Sequence, residues 1–462
     1  MADSTIELVQ AADIQRARER IQGFVHRTPL LTNASLDEIA SNVLREKLLK
    51  HGQGHPTLDP AKVHVRLHLA FKAEHLQKGG AFKARGASNA VLTHLHRERE
   101  AAGANCDPKK IWFVTHSSGN HAGALARAAQ AAGASAAVVM PLSTPAPKQA
   151  AVRGYGARAI MCESTLAARE STARTVIRDL ETEVGADGRV IFVHPYDDPL
   201  VIAGQGTLGE IVEQAQALVR DGWGRAPPQE AVSNPAHGKC SAASERKAGA
   251  DSSTSTSTST ASDSGSDAPP PFDLVISPLG GGGQLSGLST AVKAADPRIR
   301  VYGAEPEEAD DAARSLAQGS LQPAISPPRS IADGLLTALS PRTYAHIKQH
   351  VSGILTSSET HILRALQLTW ERTKQLVEPS ACVGLACVLQ GKEDWVEAVA
   401  GVVRDRLLAG ADACSALDGQ PQVVDVKVAI VWTGGNVEMA KIVQRLAELG
   451  PLGADSPTSS SS

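Results

Sequence analysis

HLQKGGAFKARGASNAV, residues 75–91, sets Lys78, Lys83 and Arg85 among glycines and alanines just ahead of an apolar helical run. A surface helix spreads its cations and pairs them with acids three or four residues away. Here no Asp or Glu falls between Glu74 and Glu98. Either this is a solvated basic corner, or one of the lysines is needed for chemistry.

The rest of the chain limits what that chemistry is. It has 462 residues, with 46 Lys+Arg against 49 Asp+Glu, a net charge of −3. That balance, with no basic stripe, excludes a dedicated nucleic-acid binder. The length suits two or three domains or one large α/β enzyme. Cys106, Cys162, Cys240, Cys382, Cys387 and Cys414 form no C-x-x-C pair and no zinc spacing, so a reduced, cytoplasmic chain is expected. The N-terminus, MADSTIELVQAADIQRARER, has no apolar signal core, and no run is long enough to span a bilayer.

Short β-branched runs, each followed by a turn and an Ala-rich helical stretch, recur along the chain. IWFVTHSSGNHAGALARAAQAAG (111–133) reads strand, turn, helix. The stretches starting at Ser135, Arg158, Asp273, Arg300 and Val428 repeat the pattern. Alternating βα units with apolar strands predict mostly parallel sheets covered by helices on both faces, with ligands at the strands' carboxyl ends. Residues 41–62 read as a polar insertion. Residues 226–271, with DSSTSTSTSTASDSGSDAPPP, and the tail 451–462 read as disordered, because they bury too little apolar surface to offset their ordering entropy.

Four turns carry candidate chemistry. SPLGGGGQLSG places Gly280, Gly281, Gly282 and Gly283 between a strand and a helix. Their N–H groups suit a phosphate, and a tight packing turn explains them equally well. THSSGNHAGALA crowds Ser117, Ser118, Asn120 and His121 at a helix start, suited to a substrate carboxylate or to plain capping. VWTGGNVE ends a strand at Thr433. In YGAEPEEADDAARS, Glu305, Glu307, Glu308, Asp310 and Asp311 repel one another unless solvated or neutralised by Mg²⁺, Mn²⁺ or Ca²⁺. A lysine among small residues, a glycine cradle and a hydroxyl able to face a ring nitrogen together describe a pyridoxal phosphate site.

These motifs, with HRTPLLT, HPYDDPLVIAGQGT, IADGL and VEPSACVGLA in order between them, resemble the fold-type II pyridoxal-phosphate enzymes, specifically the serine racemase and serine/threonine dehydratase group. The resemblance spans nearly the whole chain outside 41–62, 226–271 and the tail. It implies two α/β domains, each an open, mostly parallel sheet flanked by helices. The large one comprises 1–105 and 196–450, the small one 106–195. It implies that Lys83 holds the cofactor, with Ala81 where serine is usual and Phe82 under or beside the ring. Gly280–Gly283 would bind the phosphate, Asn120 the phenolic oxygen, and Thr433 would face the pyridine nitrogen. A neutral hydroxyl there does not enforce a protonated ring, which suits β-elimination. Lys78 and Arg85 would be positioning or surface groups.

The resemblance also places Ser118 on the cofactor face opposite Lys83, giving a racemase its second proton carrier. Pure threonine dehydratases often have alanine there. Glu305, the Ala309 carbonyl and Asp311 match the family's divalent-cation ligands. The implied substrates are L-serine and, by extension, D-serine, L-threonine or 3-hydroxyaspartate, in a homodimer without nucleic-acid or membrane partners. Gly123 stands where the family often has a glutamine that helps hold a nucleotide, which argues against an ATP effector. Tyr196, where the mammalian racemase pattern has asparagine, tilts towards elimination. Only a short tail follows Gly450, so the isoleucine-regulated type of threonine dehydratase is not expected.

Overall fold

The structure is a computed structural model. It describes residues 6–50, 57–60, 62–103, 106–117, 119–144, 146–224, 269–327, 329–409 and 421–450. Ser118, the tail, and the 226–271 insertion apart from its last three prolines lie outside the described residues.

The apolar runs form two sheets. The strands are β1 (Leu30–Thr32), β2 (Val63–Ala73), β3 (Ile111–His116), β4 (Ser135–Pro141), β5 (Arg158–Cys162), β6 (Arg189–Phe192), β7 (Leu274–Pro278), β8 (Arg300–Pro306), β9 (Gly353–Ser357) and β10 (Gln422–Trp432). One sheet runs β1-β2-β10-β7-β8-β9 and the other β5-β4-β3-β6. All pairings are parallel except β1 with β2. β10 pairs with β2 along its whole length, from Gln422↔Val63 to Trp432↔Ala73. Strands such as LVISP in β7 are buried on both faces, as helix-covered parallel sheets require. Every βα unit named from the sequence is present.

One reading is corrected. Residues 41–50 belong to the helix Ala34–Lys50 rather than to a polar insertion. Its inward stripe, Leu36, Ala40, Leu44 and Leu48, repeats every fourth residue and packs on β2. The charged residues between are its solvent face.

The helix Lys83–Ala102 that carries the candidate lysine is set by close approach. A Cβ on Gly204 would stand 2.6 Å from the Gly86 Cα, so these two backbones meet only because both positions are glycine. The helix Pro199–Gly206 thereby locks the first turn after Lys83.

Arg85 is the other anchor, and it is not a surface group. It is 1% exposed. It donates to both carboxylate oxygens of Glu74, at 2.9 and 2.7 Å, and to Glu210 at 2.7 Å. Lys72, also buried, donates to Glu210 (2.7 Å), the Thr28 carbonyl (2.7 Å) and Gln214 (3.0 Å). Burial alone would push Glu74 up, but Arg85 and Lys72 hold it below the usual carboxylate range. Lys78, by contrast, reaches only the Gly23 carbonyl at 2.9 Å.

Breaking a buried pair by removing one charge leaves the other uncompensated. Glu74→Gln should therefore lower stability by about 3–5 kcal/mol. The check is a lower denaturant midpoint at unchanged slope, and an unchanged midpoint would contradict it.

Candidate active site

The carboxyl ends of β2, β3, β6, β7 and β10 converge on one cleft of about 120 Å³. The backbone N–H of Phe82 donates to the Thr433 carbonyl at 3.0 Å, tying the start of the lysine helix to the end of β10. Lys83 Nζ donates to the Pro195 carbonyl at 2.8 Å and stands 5.2 Å from the centre of the Phe82 ring. Burial, with no carboxylate beside it to oppose the shift, lowers the amine to about 8. A larger share of it is therefore the free, nucleophilic base near neutral pH than for an ordinary lysine.

Thr433 is 3% exposed, and its Oγ1 has no hydrogen-bond partner among the described residues. A buried hydroxyl without a partner is uncommon in folded proteins and fits a group that a ligand brings. Ser117, Asn120 and His121 line the same cleft. Asn120 opens the helix Asn120–Ala131 and donates to Glu378 at 2.8 Å. Burial pushes His121 well below the usual imidazole range, with Lys83 and His194 lowering it further. Burial also lowers His116 in the lining, and lowers His194, packed against it, to about 4, so the histidines on this side of the cleft are neutral.

Gly280, Gly281, Gly282 and Gly283 form the opposite wall, at the start of the helix Gly283–Ala295. Gly282 has φ +86°, a left-handed conformation that favours glycine. A Cβ on Gly281 would lie 2.6 Å from the Tyr196 ring. Packing therefore demands glycine here, and the helix N-terminus still faces the cleft with its positive end. Lysine, neutral wall, glycine turn and orphaned hydroxyl fit pyridoxal phosphate. Among the described residues, all the residues predicted to bind it line this cleft.

The acidic run divides. Glu307 pairs with Lys392 (2.5 Å) and Asp310 with Arg314 (2.7 Å), while Glu305 and Asp311 are buried. Glu305 accepts from the N–H groups of Ala312 (3.1 Å) and Ala313 (2.9 Å), and Asp311 from that of Leu339 (3.1 Å). Burial raises both, and Asp311 raises Glu305 further. Among the described residues no group of three or more His, Cys, Asp or Glu side chains is placed to hold a metal. The predicted set is two buried carboxylates and the carbonyl of the buried Ala309, outside the cleft lining. Its all-oxygen chemistry still fits a hard cation.

Arg169 and Glu378 line the cleft without a role expected from the sequence, and Tyr196 joins them with only its expected tilt towards elimination. Arg169 lines the cleft, half-buried, with its Nε partnerless among the described residues. Tyr196 lies edge-on to His194, ring centres 4.6 Å apart, and burial pushes its phenol up to about 12. Glu378 is buried beside Asn120. Its only sequence signal is a lone acid before proline in an otherwise apolar helix start, VEPSACVGLA.

Against known proteins, the family model for "Pyridoxal-phosphate dependent enzyme" matches residues 53–222 and 247–403. The chain belongs to that family. It is 33% identical to serine racemase of Dictyostelium discoideum over 94% of this chain and 97% of the relative. It is 34% identical to the beta-hydroxyaspartate dehydratase of Paracoccus denitrificans over 85% of this chain and 93% of that one. Among solved structures, the T.th. threonine deaminase shares 35% identity at a TM-score of 0.59, covering 93% of this chain and 99% of that one. The chain is thus a fold-type II α/β protein, as the motifs implied.

Gly281→Ala forces the methyl group into the Tyr196 ring and should weaken pyridoxal phosphate binding about tenfold or more. Gly123→Ala, where a Cβ meets nothing within 4 Å, should leave affinity unchanged. Equilibrium dialysis of the cofactor measures both.

Proposed function

We propose that this chain is a serine racemase with serine dehydratase activity, carried by the observation that Lys83, Ser117, Asn120 and His121 line one cleft. Bound pyridoxal phosphate supplies an electron-withdrawing ring that acidifies the substrate's α-proton. Lys83, with a larger free-base share near neutral pH than an ordinary lysine, takes that proton. Ser117, Asn120 and the start of their helix orient the substrate carboxylate. Ser118 returns a proton to the opposite face in racemisation. In the competing reaction the β-hydroxyl leaves, and the released product hydrolyses to pyruvate and ammonia. The neutral histidine wall keeps positive charge off Lys83. Glu305, the Ala309 carbonyl and Asp311 hold Mg²⁺, Mn²⁺ or Ca²⁺. The reading includes a cytoplasmic homodimer, with domains 1–105 plus 196–450 and 106–195 around the two sheets. No helix among the described residues is long and apolar enough to cross a membrane.

A second reading rests on Arg169. Its partnerless Nε in the cleft suits a second substrate carboxylate, which favours dehydration of 3-hydroxyaspartate.

Chiral product analysis on L-serine, with pyruvate assayed in the same tube, tests the first reading. Ser118→Ala should cut D-serine formation about a hundredfold or more while sparing much of pyruvate formation. Borohydride should fix the cofactor on Lys83. D-serine at the wild-type rate from the variant would remove Ser118 as proton carrier. Faster turnover of 3-hydroxyaspartate than of serine would favour the second reading.

A cation that binds only the folded state stabilises it. Chelation should therefore lower thermal stability, Mg²⁺, Mn²⁺ or Ca²⁺ should restore it, and Asp311→Ala should abolish the response. Indifference of the wild type to chelator would make Glu305 a helix cap only.

A further inference from the structure

Glu378 stands at the N-cap of the helix Pro379–Gln390, yet its side chain does not cap it. Its Oε1 accepts instead from Asn120 Nδ2 at 2.8 Å. Asn120 Oδ1 accepts from Asn436 Nδ2 at 3.0 Å, and Asn436 Nδ2 also donates to the Gly79 carbonyl at 2.8 Å. Both ends of this chain of bonds only accept, a carbonyl at one and a carboxylate at the other, so its direction is fixed. Asn120 must turn its oxygen to Asn436 and its nitrogen to Glu378, leaving one N–H to offer elsewhere. Space for the carboxylate is reserved by Gly434, where a Cβ would stand 2.7 Å from Glu378 Oε1.

Glu378 Oε2 is buried and has no partner among the described residues. The residue, 3% exposed, lines both the cleft of Lys83 and Thr433 and a larger neighbouring cavity of about 330 Å³. Because Oε1 is already an acceptor, any proton on this carboxyl belongs on Oε2.

We infer that Glu378 is a positioning residue of the cofactor site: it fixes the Asn120 amide through Oε1 and takes up a proton on Oε2 when the anionic cofactor enters the cleft. This rests on the cleft being the pyridoxal phosphate site. Burial raises the carboxyl to about 7. Lys148, ion-paired to Asp333 at 2.6 Å, opposes that rise, Asp333 adds to it, and the Asn120 bond lowers it. The neighbouring thiol of Cys382 is itself pushed up to about 12 and stays neutral. A phosphate arriving in the same cleft disfavours the ionised carboxylate further. The bound state then has the higher pKa. Binding is tightest below about 7 and weakens by up to about tenfold per pH unit until the bound-state pKa is passed.

The test is calorimetry of pyridoxal phosphate binding to the cofactor-free protein at pH 8, in two buffers of different ionisation heat. Lys83 exchanges the same protons in wild type and in Glu378→Gln, so the difference between them isolates Glu378. Wild type should take up more protons, by about half to one per site, and its Kd should weaken more steeply with pH. Equal proton counts and equal pH slopes overturn the inference and leave Glu378 a mere prop. If Glu378→Gln does not fold, infrared difference spectra of the wild type decide instead. Binding at pH 8 should create a protonated-carboxyl band that Asn120→Ala shifts, and no such band overturns the inference. No binding heat with folded protein would remove the cofactor assignment itself.

Discussion

The charge balance beneath Lys83 is what the rest of the site depends on. Arg85 and Lys72 are buried against Glu74 and Glu210, and the cluster ties the end of β2, the start of the lysine helix and residues 207–214 into one unit. Desolvating such groups consumes most of what their attraction returns, so the cluster adds little net stability when intact. Its worth is directional. Arg85 bonds Glu74 through two nitrogens, a geometry that a lysine cannot reproduce. The turn that carries Lys83 two residues earlier is therefore fixed in position and rotation. The lowering of Lys83 comes from burial, with no neighbouring charge contributing.

Small residues supply the second constraint. Gly86 against Gly204, and Gly287 against Gly206, bring helix backbones to distances that any side chain would forbid. Close packing draws the lysine helix, the helix Pro199–Gly206 and the helix Gly283–Ala295 together, so the lysine and the glycine turn face one cleft. The Ala- and Gly-rich composition is thus the means by which strand ends from distant parts of the chain meet.

The sequence was legible where local pattern and tertiary role coincide. Each βα unit carries its own period and its own turn, and the motif order pointed to Lys83, the glycine turn and Thr433, which line one cleft. It misled where a segment's pattern is split by charge. The helix Ala34–Lys50 hides a four-residue apolar stripe among Glu38, Arg45, Glu46, Lys47 and Lys50, so its second half looked like an insertion. Arg85 was ambiguous because its partners lie 11 and 125 residues away, beyond any helical spacing. Glu378 was invisible for the same reason: the Asn120 it holds lies 258 residues off. Within the acidic run, spacing could not say which carboxylates turn inward, and only burial separates Glu305 and Asp311 from their solvated neighbours.

Burial explains the character of the cleft. It lowers Lys83 to about 8 and His194 to about 4, raises Glu378 to about 7 and pushes Tyr196 up to about 12. All four shifts favour the uncharged form, as desolvation dictates for acids and bases alike. A site meant to bind its ligand by charge would hold fixed cations instead, and here the lining cations that no described carboxylate neutralises through a hydrogen bond or ion pair are Arg169 and Lys83, the latter with its charge weakened by burial. Proton transfer is easiest between groups whose pKa values lie near the working pH. Lys83 and Glu378 come closest to that condition, one on the chemistry and one holding Asn120. The desolvation that readies the amine to move a proton thus also leaves the carboxyl beside Asn120 poised to gain one.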